Sequence, residues 1–324
     1  MPEVSVIIPT FNREQYITNA IDSVLDQNYR NYEIIVVDDG SKDNTRDILQ
    51  RYGNKIKYIY QNNSGVSAAR NRGIANSKGK WLAFLDSDDE WMTAYLSTQI
   101  ERAVQVPEIC MQTTNCCFIG LTGETKTYFE INKSLSEFHG KDYLLPEDPF
   151  TFVVGHGPWQ VGATIILRDA IMKAGLFDPG LKLSEDYDLM ARVSLQGRFG
   201  MIREELMRVY RRPESLQGLT DHARSNPILA KENNGEIYEN LKKIEALNSN
   251  QRNILNKLLS ANKRAMGNLL MEDGKIAEAR VFYKHAIFDY PSIKSIGKYI
   301  LSFLPLKWFL RIKLKRGIFG VSRN

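Results

Sequence analysis

Cysteine and histidine are scarce in this chain, three and four in 324 residues. Cys110, Cys116 and Cys117 lie close together with no second cluster to pair with. That argues against a disulfide framework or a zinc site, and for reduced thiols on one buried strand. No apolar run approaches the roughly 20 residues that a membrane-spanning helix needs. Met1-Pro2-Glu3 leads directly into a strand pattern, without the charged n-region or cleavage site of a secretion signal, so a cytoplasmic protein is expected. Neither G-x-G-x-x-G nor G-x-x-x-x-G-K-[ST] follows any early strand, so a backbone cradle for phosphates is not expected. Acidic residues are missing from residues 290–324, which hold eight Lys or Arg, so with a net charge of +5 the other 289 residues stand at about −3. Such asymmetry argues against a nucleic-acid groove across the main body and leaves a basic tail suited to an acidic surface, lipid headgroups first.

What is present has ordinary globular composition, 43% hydrophobic and 25% charged, which excludes wholesale disorder. The length suits one enzyme-sized domain with a smaller attachment. Strand patterns at 4–8, 33–37, 55–60 and 81–85 alternate with helical periodicity, carried first by Ile17, Ala20, Ile21, Val24 and Leu25. This alternation predicts an α/β fold with a mostly parallel sheet. Helices are predicted over 43–52 and 66–77. Further on, an apolar stretch at 109–119 precedes a predicted loop from 124 to 159, a core strand at 161–167, and helices near 168–174 and 186–196. After about 220 the pattern is mainly helical. There Gly267, Gly274, Ala279, Tyr283, Ala286 and Pro291 fall at the offsets of one tetratricopeptide helix pair. A single copy cannot form a solenoid, so a hairpin packed on the main domain is expected. The expected division is therefore 1–220, a helical region 221–291, and a basic amphipathic end 292–324.

Polar clusters follow the first, second and fourth strands: Pro9-Thr10-Phe11-Asn12, Asp38-Asp39-Gly40-Ser41 and Asp86-Ser87-Asp88-Asp89. A parallel sheet gathers such strand ends on one edge, where open α/β folds bind ligands. Each cluster alone is equally a capped or solvated turn; their convergence is what points to a site. On an extended chain Asp86 and Asp88 would face one ligand together. They suit magnesium or manganese, held by one or two carboxylates and completed by diphosphate oxygens and water. Asp39 can accept the imide N–H of uracil or a ribose hydroxyl, with Asp38 or Ser41 capping the next helix. The stretch Ser64-Gly65-Val66-Ser67-Ala68-Ala69 opens a helix with small residues and then presents Arg70, whose guanidinium matches phosphate oxygens. Glu185, Asp186 and Asp188 open another helix; dipole stabilisation explains one acid there more readily than three.

Five ordered motifs over residues 4 to 192, V-S-V-I-I-P-T-F-N-R, V-V-D-D-G-S, G-V-S-A-A-R-N-R-G-I, F-L-D-S-D-D and L-S-E-D-Y-D-L, closely resemble those of family 2 glycosyltransferases. The resemblance implies a GT-A fold, inverting transfer and a nucleotide-diphosphate sugar donor, with a uridine diphosphate sugar as the default. Carried over by position, Pro9, Thr10 and Asp39 line the nucleoside pocket, Arg70 and Asp86 contact donor ribose or phosphate, and Asp88 ligates the metal. Asp186, the second residue of the acidic pair, is the expected general base. A glycan or lipid-linked saccharide, met at the inner face of the plasma membrane, is the expected acceptor. The family commonly shows Y-R-R-H-P after its last strand, whereas Tyr210-Arg211-Arg212 runs into Pro213 here, leaving Arg211 or His222 to substitute for the histidine. A nucleotidyltransferase would need a glycine-rich, basic loop after the first strand, which residues 9–14 lack. A non-catalytic nucleotide-sugar-binding scaffold would bind donor without turnover. Lys307, Arg311 and Lys315 form one stripe beside Leu306, Trp308 and Phe309, and predict a helix lying in the headgroup layer.

Overall fold

Valine and isoleucine near the N-terminus build the centre of a sheet. Strand β1 (Val4–Thr10) is buried at every position, and β2 (Tyr32–Asp38) at its last five. Continuous burial without alternation is what a strand covered on both faces requires. In this computed structural model, which describes residues 1–120, 125–157, 159–211 and 225–304, the chain forms two compact units, 1–217 and 218–324.

In the first unit β1 pairs in parallel with β2 and with β4 (Trp81–Phe84), and β2 with β3 (Lys57–Tyr60). The crossovers are α1 (Ile17–Leu25), α2 (Thr45–Gln50) and α3 (Val66–Ala75). Register sets Thr10 beside Asp38 and Asp38 beside Tyr60, and Leu85 N donates to Ile7 O at 3.0 Å. All four strands therefore release their chain at one edge, as the alternating pattern predicts.

The sheet continues with β5 (Glu90–Trp91), β6 (Ile109–Ile119), β7 (Thr125–Thr127), β8 (Tyr143–Leu144), β9 (Thr164–Leu167) and β10 (Arg198–Tyr210). Its order is β3-β2-β1-β4-β9-β6-β10-β5, with β7 on β6 and β8 on β10. Helices α4 (Tyr95–Val104), α5 (Tyr128–Ile131), α6 (Pro149–His156), α7 (Arg168–Ala174) and α8 (Glu185–Val193) complete the unit. The region expected to be a loop, 124–159, instead holds β7, α5, β8 and α6. A Thr127–Glu130 capping box opens α5, and Asp148 caps α6 with Pro149 in its first turn. Elements this short leave no measurable period. Residues 161–163 form a 3-10 turn rather than the start of β9. All three cysteines lie free on β6, and burial pushes the Cys110 thiol up to about 12.

The second unit is built of α9 (Pro227–Lys242), α10 (Ser249–Glu272), α11 (Ile276–Asp289) and α12 (Ile293–Leu301). A Cβ on Gly267 would stand 2.6 Å from Tyr283 Cε1, so the ring of α11 rests directly on the backbone of α10. Ala279, Tyr283 and Ala286 are fully buried around that contact. These are the small and aromatic positions expected of a helical hairpin. No helix among the described residues is long and apolar enough to cross a membrane. His222 and the basic stripe Lys307, Arg311 and Lys315 lie outside the described residues.

Candidate active site

The end of β2 supplies two carboxylates with different tasks. Asp38 accepts from Ser41 N (2.8 Å) and from the Tyr58 hydroxyl (3.0 Å), closing its own turn. Asp39 is buried and accepts from Gln61 Nε2 (2.7 Å), Ser64 N (2.8 Å) and Gly65 N (2.8 Å). Gly40, at φ +86, lets the two turns touch, since a Cβ there would sit 2.9 Å from Asn63 N. A carboxylate has about four acceptor directions, so Asp39 keeps about one for a ligand while it shapes the 61–65 loop.

Beside it, Thr10 ends β1 with a buried hydroxyl that has no hydrogen-bond partner among the described residues. Phe11 is exposed just beyond. The chain then docks on the loop after β2: Asn12 N donates to Ser41 Oγ (3.0 Å), Arg13 N to Thr45 Oγ1 (3.0 Å) and Glu14 N to Asp43 Oδ2 (3.1 Å).

The 86–89 segment is not the extended strand end expected from sequence. β4 stops at Phe84, and Asp89 N donates to Asp86 O at 3.1 Å, closing a turn. Its carboxylates diverge: Asp86 Oδ1 accepts from Arg70 Nη2 (2.9 Å), Asp88 Oδ2 lies 3.6 Å from Arg13 Nε, and Asp89 Oδ1 accepts from Tyr210 N (3.1 Å). Like charges packed into four positions are best separated in this way. Burial, with Asp86 and Asp88 nearby, pushes the Asp89 carboxyl well above the usual carboxylate range.

Arg70, on α3, is buried and joins two halves of the site. Besides Asp86 it donates through Nη1 to Glu185 Oε1 at 2.8 Å, and its guanidinium lies 5.2 Å from the centre of the Phe177 ring. Asn71 clamps Phe177 from both sides, donating to its carbonyl (2.8 Å) and accepting from its amide (3.0 Å). Each terminal nitrogen of Arg70 thus donates one bond to a carboxylate and retains a second N–H, and Nε has no hydrogen-bond partner among the described residues.

Helix α8 starts after Ser184, a non-glycine residue at φ +61, a costly conformation of the kind that collects at functional sites. Glu185 points inward to Arg70. Asp186 is partly buried, and its Oδ1 accepts from Tyr187 N at 2.8 Å. Burial and the adjacent Glu185 push the Asp186 carboxyl up to about 6, against the opposing pull of Arg70 and of the Tyr187 amide. A carboxylate near 6 is a competent base at neutral pH.

Oxygen donors at the 86–89 turn suit a hard divalent cation. Among the described residues no three His, Cys, Asp or Glu side chains gather into a cage, so a cation at Asp88 would take its other ligands from diphosphate and water, the usual habit of magnesium. Arg211 lies 4.8 Å from the centre of the Phe118 ring. Sequence reasoning did not single out Arg13, Asn71 or Phe177. The first two stand inside the quoted motifs, whereas Phe177 lies 106 positions from its partner and carries no local signal.

Residues 5–157 match the family described as Glycosyl transferase family 2. The uncharacterized glycosyltransferase RP339 of Rickettsia prowazekii is 37% identical over 190 residues, which is 58% of this chain and 57% of that protein. Glycosyltransferase TuaG of Bacillus subtilis, whose name assigns it provisionally to teichuronic acid biosynthesis, is 46% identical over 104 residues, 31% of this chain and 41% of that one. The chain thus matches little more than half the length of the first relative and less than half of the second. Among solved structures, S. aureus TarS 1-349 in complex with UDP-GlcNAc superposes with a TM-score of 0.65 at 18% identity, covering 97% of this chain and 92% of that one. The mannosyltransferase PcManGT of Pyrobaculum calidifontis, in complex with GDP-Man and Mn2+, gives 0.57 at 15% identity, with 95% and 83% covered. At such identities the likeness is one of fold.

Proposed function

We propose that this chain, whose first unit carries a family 2 glycosyltransferase domain of the GT-A type, transfers a sugar with inversion from a nucleotide-diphosphate sugar to an acceptor hydroxyl. The observation that carries the reading is the Arg70 bridge. One guanidinium ties the Asp86 turn, on the donor side, to Glu185, the residue beside the candidate base. The Asp186 carboxylate takes the acceptor proton as the acceptor oxygen bonds to the anomeric carbon and the bond to the diphosphate breaks. Asp39, Pro9 and Thr10 bind the nucleoside, and Asp86 with Arg70 positions ribose or phosphate. Asp88 would hold a divalent cation, magnesium or manganese, which would supply Lewis-acid neutralisation of the leaving diphosphate.

A uridine diphosphate sugar is the favoured donor, supported by the TarS complex with UDP-GlcNAc. The favoured acceptor is a glycan or lipid-linked saccharide at the inner face of the plasma membrane, where the basic C-terminal segment would make peripheral contact. A hydrolysis screen across nucleotide sugars, with and without chelator, tests the assignment. Metal-stimulated release of one nucleoside diphosphate is expected; tight donor binding with no turnover under any condition would instead identify a sugar-nucleotide-binding scaffold.

A further inference from the structure

Helix α12 packs Tyr299 and Leu301 against the core around Tyr283 but leaves a second apolar face outside it. Its inward positions include Ser295 and Ser302, both fully buried. Ser295 Oγ accepts from Arg264 Nη1 at 3.0 Å and lies 3.2 Å from Ser260 Oγ, and the Ser302 carbonyl accepts from Arg280 at 3.0 Å. Outward stand Ile293, Ile296 and Ile300, continued in the following turn by Phe303 and Leu304, from 41% exposed at Leu304 to 91% at Ile293. The spacing i, i+3, i+7 places the three isoleucines on one side, yet a helix on a soluble domain normally turns such a stripe to the core. An exposed run of this kind marks an interaction surface. Lys294 and Lys298 are the charged residues of the helix, and no Asp or Glu occurs from 290 to the end of the chain.

We propose that this face docks in the interfacial layer of an anionic lipid bilayer, with the isoleucines and Phe303 at the acyl boundary and Lys294 and Lys298 among the headgroups. Charge of one sign selects this occupant. Two copies meeting through the face would bring lysine against lysine, and the helix is too short to cross a membrane. The inference deepens the membrane part of the proposed function but stands apart from sugar transfer, so the two can fail separately.

The test is sedimentation of the full-length chain with phosphatidylcholine vesicles prepared with or without phosphatidylglycerol. Ile293→Asp/Ile296→Asp/Ile300→Asp, at exposed positions, should lower partition roughly tenfold or more. Lys294→Glu/Lys298→Glu should lower it by about fivefold or more per charge, and only on phosphatidylglycerol vesicles. Donor hydrolysis in solution should be unchanged in both, which also reports an intact fold. Binding by the triple variant equal to that of the parent would overturn the proposal, as would a parent protein that ignores phosphatidylglycerol vesicles at low salt. A dimer in lipid-free buffer that the triple variant disperses, with no vesicle binding, would assign the face to a second copy.

Discussion

Replacing Asp186 with Asn keeps the side chain's shape and removes its basicity. Turnover should fall about 10² to 10⁴-fold while nucleotide affinity stays near the parent value; steady-state kinetics beside calorimetric titration separates the two. Because the Asp186 carboxyl is raised to about 6 by burial and Glu185, kcat/KM should climb as pH rises through that region and level off above it. Stability runs the other way. The fold holds this proton more tightly than the unfolded chain does, so the contribution of Asp186 is present at low pH and lost as pH passes about 6. Asp88→Ala should weaken metal-dependent binding of a nucleoside diphosphate, because Asp88 is the residue that would hold the proposed cation; equal affinity with and without chelator in both proteins would exclude it. The candidate acids were legible because strand ends in a parallel sheet converge whatever their partners. Their hydrogen bonds were not: Arg70 and Glu185 stand 115 positions apart, and nothing local records which guanidinium meets which carboxylate. The sequence reading of Asp86 and Asp88 also assumed an extended chain, which the Asp89–Asp86 turn replaces.

At the scale of elements, the Arg70 bridge fastens α3 to the turn after β4 and to the start of α8. Arg70→Ala strands the buried Glu185 carboxylate, and breaking such a pair costs roughly 3–5 kcal/mol; Asp86, more exposed, adds little. Urea unfolding should show a midpoint lowered accordingly. Arg70→Lys should recover little of it, since a point charge cannot fork between two carboxylates. Long periodic elements such as α1, β1 and the α10–α11 pair were legible from spacing alone, because burial on one or both faces writes itself into the pattern. Segments such as β8 and α5 were not, because they are set by caps and by contacts with β10 and β6 that arrive from elsewhere in the chain.

Across the whole molecule, charge and packing are distributed unequally. The basic end and the slightly acidic remainder predict that vesicle association weakens steeply as salt rises toward 1 M, where screening acts over about 3 Å, while donor hydrolysis in solution changes little; paired sedimentation and activity assays at graded salt check this. The two units have separate cores, one around the sheet and one around Tyr283, and local opening follows such boundaries. Within the first unit, Ser64 and Gly65 are exposed residues whose amide hydrogens are nonetheless held by the buried Asp39 carboxylate. Deuterium labelling should therefore find these two amides slow to exchange within a loop that otherwise labels quickly. They become a built-in reporter of the proposed nucleoside pocket, readable without any donor, acceptor or metal in the tube.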